Sequence, residues 1–282
     1  QLHSDANRDG VGQVIANGQV DIGGNLTVGN KGFVDKYNFA SDFVSVSEST
    51  VHVFKNLNVA GTVVRMTSGG GISARSNCKL SVDGNASIDV INGAGVSVGS
   101  NGVVEVLGTN NSISTNIGPG KALAGSIPRF PGIYVKGSGV VAFGTKAPTT
   151  TTGPTVLFSA GSINTVTKES HGIFINDEDS RPAAESTVKQ GGVIKTAGID
   201  ANGIHIVNTK GKTSIENTGT ITSELGNAID VSQVAGGSTI TNSGNLTATS
   251  ANKWVMVGGK NVDTFTASGG ALIGSTFLGD GS

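Results

Sequence analysis

The chain is short of most of what other fold classes require. It has one cysteine, Cys78, in 282 residues, so neither an internal disulfide nor a cysteine-based metal cluster can form. Aromatic residues make up 5% of the chain, charged residues 14%, and there are six prolines. A disordered chain carries more charge and more proline than this. A helical chain is richer in Leu, Glu, Lys and Arg. The net charge is −1, which leaves no electrostatic basis for binding nucleic acid or an anionic membrane. No apolar run approaches the ~20 residues of a membrane-spanning helix, so no membrane insertion is expected. The first residue is Gln1, no secretory signal is present, and the sequence reads as a processed chain or an excised piece.

Glycine is what the chain has in excess: 44 residues, set among Val, Ile, Thr, Ser and Asn. β-Branched residues punctuated by Gly and Asn suit short strands joined by tight turns. In residues 79–108, apolar pairs separated by one residue recur as Leu80/Val82, Ile88/Val90, Val96/Val98 and Val104/Val106, a constant step of eight. Alternation of this kind points both members of a pair to one side of a strand. Between pairs lie Asp83-Gly84, Asn92-Gly93 and Asn101-Gly102, expected to supply the positive φ of tight turns.

The C-terminal half repeats at a longer interval. Gly219-Thr220-Ile221, Gly244-Asn245-Leu246 and Gly270-Ala271-Leu272 follow one another at 25 and 26 residues, and Gly192-Val193-Ile194 extends the column. A second column is Ile173, Ile204, Ile229, Val255, and a third is Ile215, Ile240, Phe265. Three strand-and-turn units of eight make one coil of about 25 residues, which predicts three short strands per coil stacked into three parallel sheets. The expected fold is therefore all-β: a right-handed parallel β-helix (β-solenoid), the hand following the preference of parallel crossovers. Constant spacing disfavours the rival β-sandwich, which needs hairpins and variable strand separation. Roughly 11 coils at about 4.8 Å each would make a rod about 50 Å long.

Residues 1–282 read as one domain. Residues 1–19 are expected to form an atypical first coil or a cap over the sheet edge. Three stretches interrupt the pattern: residues 118–132 with three prolines, the threonine-rich 146–154 (KAPTTTTGP), and 176–185 (NDEDSRPAAE). Loops on a rigid scaffold are where binding usually sits.

Residues 216–250, ENTGTITSELGNAIDVSQVAGGSTITNSGNLTATS, resemble the degenerate I-x-N-x-G-x-I repeats of autotransporter passenger domains. The likeness covers about residues 160–270. It implies a right-handed β-helix displayed outside a Gram-negative cell, commonly as an adhesin or self-association protein. The family's C-terminal membrane barrel has no counterpart here, so the resemblance implies a passenger or part of one. A weaker resemblance runs to phage tailspike β-helices and to secreted surface-layer or filament proteins.

Chemistry-bearing clusters are few. Asp5, Asn7 and Asp9, followed by Gly10, match the opening of a calcium loop, although Ala16 stands where its bidentate Glu belongs. Calcium is the one candidate metal, with a polar turn as the alternative. Asp177, Glu178 and Asp179 form the densest acidic run, read as a solvated loop rather than a glycosidase pair. His205 is expected to face outward beside Asp230 of the next coil, in a column with Phe174 and Met256. Asp230 and Glu216 are carboxylates that different coils could bring together. The histidines His3, His52, His171 and His205 lack metal-ligand spacing. Asn217 and Asn242 occupy equivalent turn positions and could form a side-chain amide ladder. Trp254, the only tryptophan, is expected either to pack on a turn or to serve as a surface aromatic. Sequons at Asn25, Asn85, Asn110 and Asn245 are what chance gives in so polar a chain. The expectation is a non-enzymatic, secreted surface protein that binds copies of itself or a cell-surface or glycan ligand. A filament or surface-layer subunit and a tailspike-like glycan-binding or glycan-cleaving protein are the alternatives. Residues 270–282 begin another coil, which favours the filament.

Overall fold

The computed structural model describes residues 14–29, 44–62, 70–116, 130–177, 184–207 and 209–279. These contain 27 strands and no helix. The strands pair in parallel and stack as a β-solenoid. One sheet of nine strands runs from Leu26–Gly29 to Leu272–Ile273. The other 18 form a second and a third stack, joined where the two longest strands, Val14–Ile22 and Val44–Val53, turn a corner and serve both. The corner is visible in the register. Val44 to Ser47 pair with Ile72 to Arg75 on the second sheet, while Thr50 to Val53 pair with Lys79 to Val82 on the third. Between them Glu48 takes φ 49°, the left-handed turn that bends the strand.

Each coil visits the three sheets in turn. Thr220–Ser223 lies on the first, Ile229–Gln233 on the second and Ser238–Asn242 on the third. The inward residues of that coil, Ile221, Ile229 and Ile240, are fully buried. Alternation explains this: in Thr213–Asn217 residues 213, 215 and 217 are buried and 214 and 216 exposed. Stacking repeats that choice rung after rung. The result is one continuous core of Val, Ile and Leu from Val28 to Met256. Burying each such side chain stabilises the rod by about 1.5–3 kcal/mol.

The turn residues divide the work differently from the expectation. At Asn92 and Asn101 the positive φ, 62° and 58°, falls on the asparagine. Gly102 is required for space, because an added Cβ would lie 2.5 Å from the Ala74 carbonyl oxygen one coil away. Space also explains a column of glycines entering the second sheet. A Cβ on Gly95, Gly132, Gly172 or Gly203 would collide with the Cγ2 of Ile113, Ile163, Ile194 or Ile221 respectively. In the next coil the glycine becomes Ala228, and the first-sheet residue becomes Leu246, which branches one carbon later and has no Cγ2.

Asparagines stitch the coils on the outside of this core. Asn56 N donates to Asn25 Oδ1, Asn85 N to Asn56 Oδ1 and Asn110 N to Asn85 Oδ1, each at 2.9–3.0 Å. On the third sheet Asn217 Nδ2 donates to Asn242 Oδ1 at 2.6 Å, and both residues are fully buried. The amide ladder expected from their equivalent positions is therefore present.

Three expectations need correction. The second column closes on Met256, not Val255. Ile229 pairs with Met256 and Asp230 with Val257, because the strand Trp254–Val257 is irregular between Trp254 and Met256. Among the described residues the first sheet holds nine strands rather than the 11 of the coil estimate, about 38 Å of stacking, and residues 144–154 go to an excursion rather than to a coil. Finally, the third sheet gains a strand that the other two lack. Val140–Phe143 is followed directly by Thr155–Phe158 on the same sheet, paired Val140 to Thr155 through Phe143 to Phe158. Residues 14–19, within the expected first coil or cap, lie in the strand Val14–Ile22.

Candidate binding groove

The extra strand positions a recess on the outer face of the third sheet. After Phe143 the chain leaves the third sheet at Gly144, whose φ is 74°, and returns to it at Thr155. Pro148 and Pro154 cannot donate to a strand ladder, and the threonine run between them has no apolar alternation to bury. The segment therefore stands off the sheet as a loop. It is nonetheless fixed. Glu105, 7% exposed on the third sheet, accepts a hydrogen bond from Ala147 N at 2.8 Å through Oε2 and pairs with Lys79 Nζ at 3.0 Å through Oε1. At the far end Thr187 N donates to the Pro154 carbonyl at 2.9 Å, and Thr155 Oγ1 donates to the Gly153 carbonyl at 3.2 Å.

Between this loop and the outer face of the sheet lies a groove of about 590 Å³. Thr145 and Thr150 to Thr152 line the loop side; Leu157, Thr187 and Lys189 line the sheet side. A smaller hollow of about 200 Å³ shares Ser159 and Lys189 with it and extends to Glu216 and Thr218. The floor follows the strand register: Leu157 pairs with Lys189, and Lys189 with Glu216. Lys189 Nζ and Glu216 Oε2 are 3.3 Å apart and both solvent-exposed, an ion pair of small energetic weight. The chemistry on offer is therefore hydroxyl-rich hydrogen bonding with one cation, the carboxylates of Glu185 and Glu216, and apolar contacts from Pro148 and Leu157.

A second cluster lies on the outer face of the second sheet. Tyr134, Phe174, His205 and Asp230 occupy one outward column. The Tyr134 and Phe174 rings stack at 5.5 Å, as do those of Phe174 and His205. His171 closes on His205 at 4.5 Å. His205 faces outward beside Asp230, as the spacing predicts, with Nδ1 3.9 Å from Oδ2, but it is 8% exposed. His171 accepts a hydrogen bond at Nδ1 from Asn202 N at 3.0 Å. Asp230 in turn accepts from Asn202, Asn227 and Ser232. Sheltered aromatic stacking and saturated hydrogen bonding mark this column as structural stitching.

The remaining candidates disperse. Asp5, Asn7 and Asp9 of the calcium loop lie outside the described residues, as do His3, Glu178 and Asp179; Asp177 is buried at 3% exposure. Asp230 and Glu216 sit on different sheets and do not meet. His52 pairs with Asp83 at 2.9 Å. Among the described residues no group of three or more His, Cys, Asp or Glu could hold a metal ion. Cys78 is 4% exposed, and burial pushes its thiol above the usual range, which makes it a poor nucleophile. Trp254 is 37% exposed, with its ring 5.7 Å from Phe277 on the last coil.

The threonine run marked the groove only as a loop; its floor was invisible because Leu157, Lys189 and Glu216 lie far apart in sequence. Of this outer column, Phe174, His205 and Asp230 follow from the coil spacing, whereas Tyr134, 40 residues before Phe174, lies outside it. No protein-family model, curated protein or solved structure matches the chain.

Proposed function

We propose that this β-solenoid is a non-enzymatic, secreted surface protein of the autotransporter-passenger kind, which adheres through the side of its rod. The observation that carries this reading is the anchored threonine loop. Residues 144–154 leave and re-enter one sheet, are tied by Glu105 and Thr187, and build a groove on a face that is otherwise a regular ladder. A rigid scaffold that holds a loop in place is suited to recognition. Binding of the purified rod to bacterial and mammalian cells and to matrix proteins tests it. Adhesion that falls when residues 145–152 are replaced by a short glycine turn is the expected result. A rod that binds no cell, no matrix and no copy of itself refutes the proposal.

A different observation favours a second reading, a filament or surface-layer subunit. Residues 266–277 are exposed throughout, and Leu272, Ile273 and Phe277 show 39%, 57% and 47% of their surface on the last coil. Exposed apolar side chains on a strand can seat a further strand, and the second reading takes that strand from another copy. Light scattering and electron microscopy across a concentration series test it, and monomers at every concentration rule it out.

A further inference from the structure

We propose that the groove under the threonine loop takes a neutral oligosaccharide lying along the rod axis; this rests on the adhesive reading and names its ligand. Three features of the site lead there. The first is the lining. Thr145, Thr150, Thr151, Thr152 and Thr187 offer hydroxyls that both donate and accept, so they match the hydroxyls of a sugar in either orientation. The second is charge. Lys189 is offset by Glu216 at 3.3 Å, and Glu185 adds a further carboxylate, so the site has no surplus cation for a sulfated or carboxylated chain. The third is the floor. Leu157, Lys189 and Glu216 occupy the same outward position on three successive rungs, so side chains recur about every 4.8 Å along the rod.

A pyranose chain presents its own ring-by-ring repeat to such a floor. Leu157 and Pro148 supply apolar surface for the C–H face of a ring, and the loop hydroxyls close over the other side. The groove volume of about 590 Å³ falls within the usual range for small-ligand sites. Two rung steps span about 10 Å, enough for about three sugar units. An affinity that depends on chain length up to that limit is the signature of this geometry.

The experiment is saturation-transfer NMR on the full chain with cello-, malto- and manno-oligosaccharides of two to six units, and a heparin tetrasaccharide as the anionic arm. Transfer in at least one neutral series should strengthen from two to three units and level off beyond three. Thr187→Ala combined with Lys189→Ala should weaken binding at least tenfold. The loop variant Thr150→Val with Thr152→Val alters exposed positions, leaves the sheet intact, and should weaken it as well. No transfer from any neutral series at millimolar concentration overturns the proposal, as does transfer undiminished in both variants. Preference for the heparin fragment overturns the neutral assignment. Cell adhesion measured in parallel separates the two claims. A rod that adheres but ignores every sugar and both variants refutes the groove and leaves adhesion standing, whereas a rod that binds sugar but no cell surface does the reverse.

Discussion

Gly203→Ala tests the packing logic of the rod most directly. The added methyl meets two obstacles: Cγ2 of Ile221 on the first sheet and, at 2.6 Å, the carbonyl oxygen of Ala228 in the next coil. Side-chain overpacking typically costs about 1–3 kcal/mol, and a backbone oxygen held in a parallel ladder yields little, so the upper end applies. Replacing glycine also stiffens the unfolded chain and returns about 0.4–1 kcal/mol. The net expectation is a loss of about 2 kcal/mol. The rod contains its own control, because the next coil carries Ala228 with Leu246 in place of the Gly-Ile pair. Ile221→Leu in the Gly203→Ala background should therefore recover about 1 kcal/mol or more, although Ile221→Leu alone costs up to about 1.5 kcal/mol. Urea unfolding followed by far-UV circular dichroism reads both numbers, with the denaturant slope unchanged. A single variant within about 0.5 kcal/mol of the parent, or strictly additive effects in the double variant, refutes the account.

Other perturbations address other parts of the rod. Asn217→Ala leaves Asn242 Oδ1 without its donor in a fully buried position and should cost about 1–3 kcal/mol, read as a lowered midpoint in the same unfolding assay. Asn217→Ala with Asn242→Ala should cost less than the sum of the two single changes. Glu105→Ala removes the acceptor that holds Ala147 N, so that amide should exchange with deuterium about tenfold faster or more while the sheet amides keep their protection; unchanged exchange contradicts the anchor. Because burial raises the Cys78 thiol, the unfolded chain ionises first as pH rises. Stability from this group is thus level below the ordinary thiol pKa and falls above it, so urea midpoints should drop between about pH 8 and pH 10 in the parent and drop less in Cys78→Ala.

How far the sequence reaches depends on whether a feature is periodic. Ile221, Ile229 and Ile240 form one inward set in the structure because their spacing obeys the coil, and the pairings Ile215 to Ile240 to Phe265 follow the same arithmetic. The register at Met256 escaped it, since one irregular residue in a strand shifts every partner after it. The corner at Glu48 escaped it as well: alternation on either side reads as two strands, while the backbone runs on as one. Spacing puts His205 on the outer face beside Phe174, as in the structure, but the shelter that His171 adds from 34 residues earlier has no periodic signal. The groove was hidden for a similar reason. A composition of Thr and Pro signals departure from the sheet, and nothing local encodes the sheet to which the chain returns.

That return has a consequence of its own. A segment that exits and re-enters the same wall of a prism does not enter the count that keeps the other two walls aligned. Strand Ser112–Asn116 pairs with Ser162–Thr165, and Ile133–Lys136 with Ile173–Asn176, as though the excursion were absent. Length between residues 144 and 154 is thus uncoupled from the pitch of the rod. The position is a graft port: residues can be added, removed or exchanged there while each coil above and below keeps its neighbours.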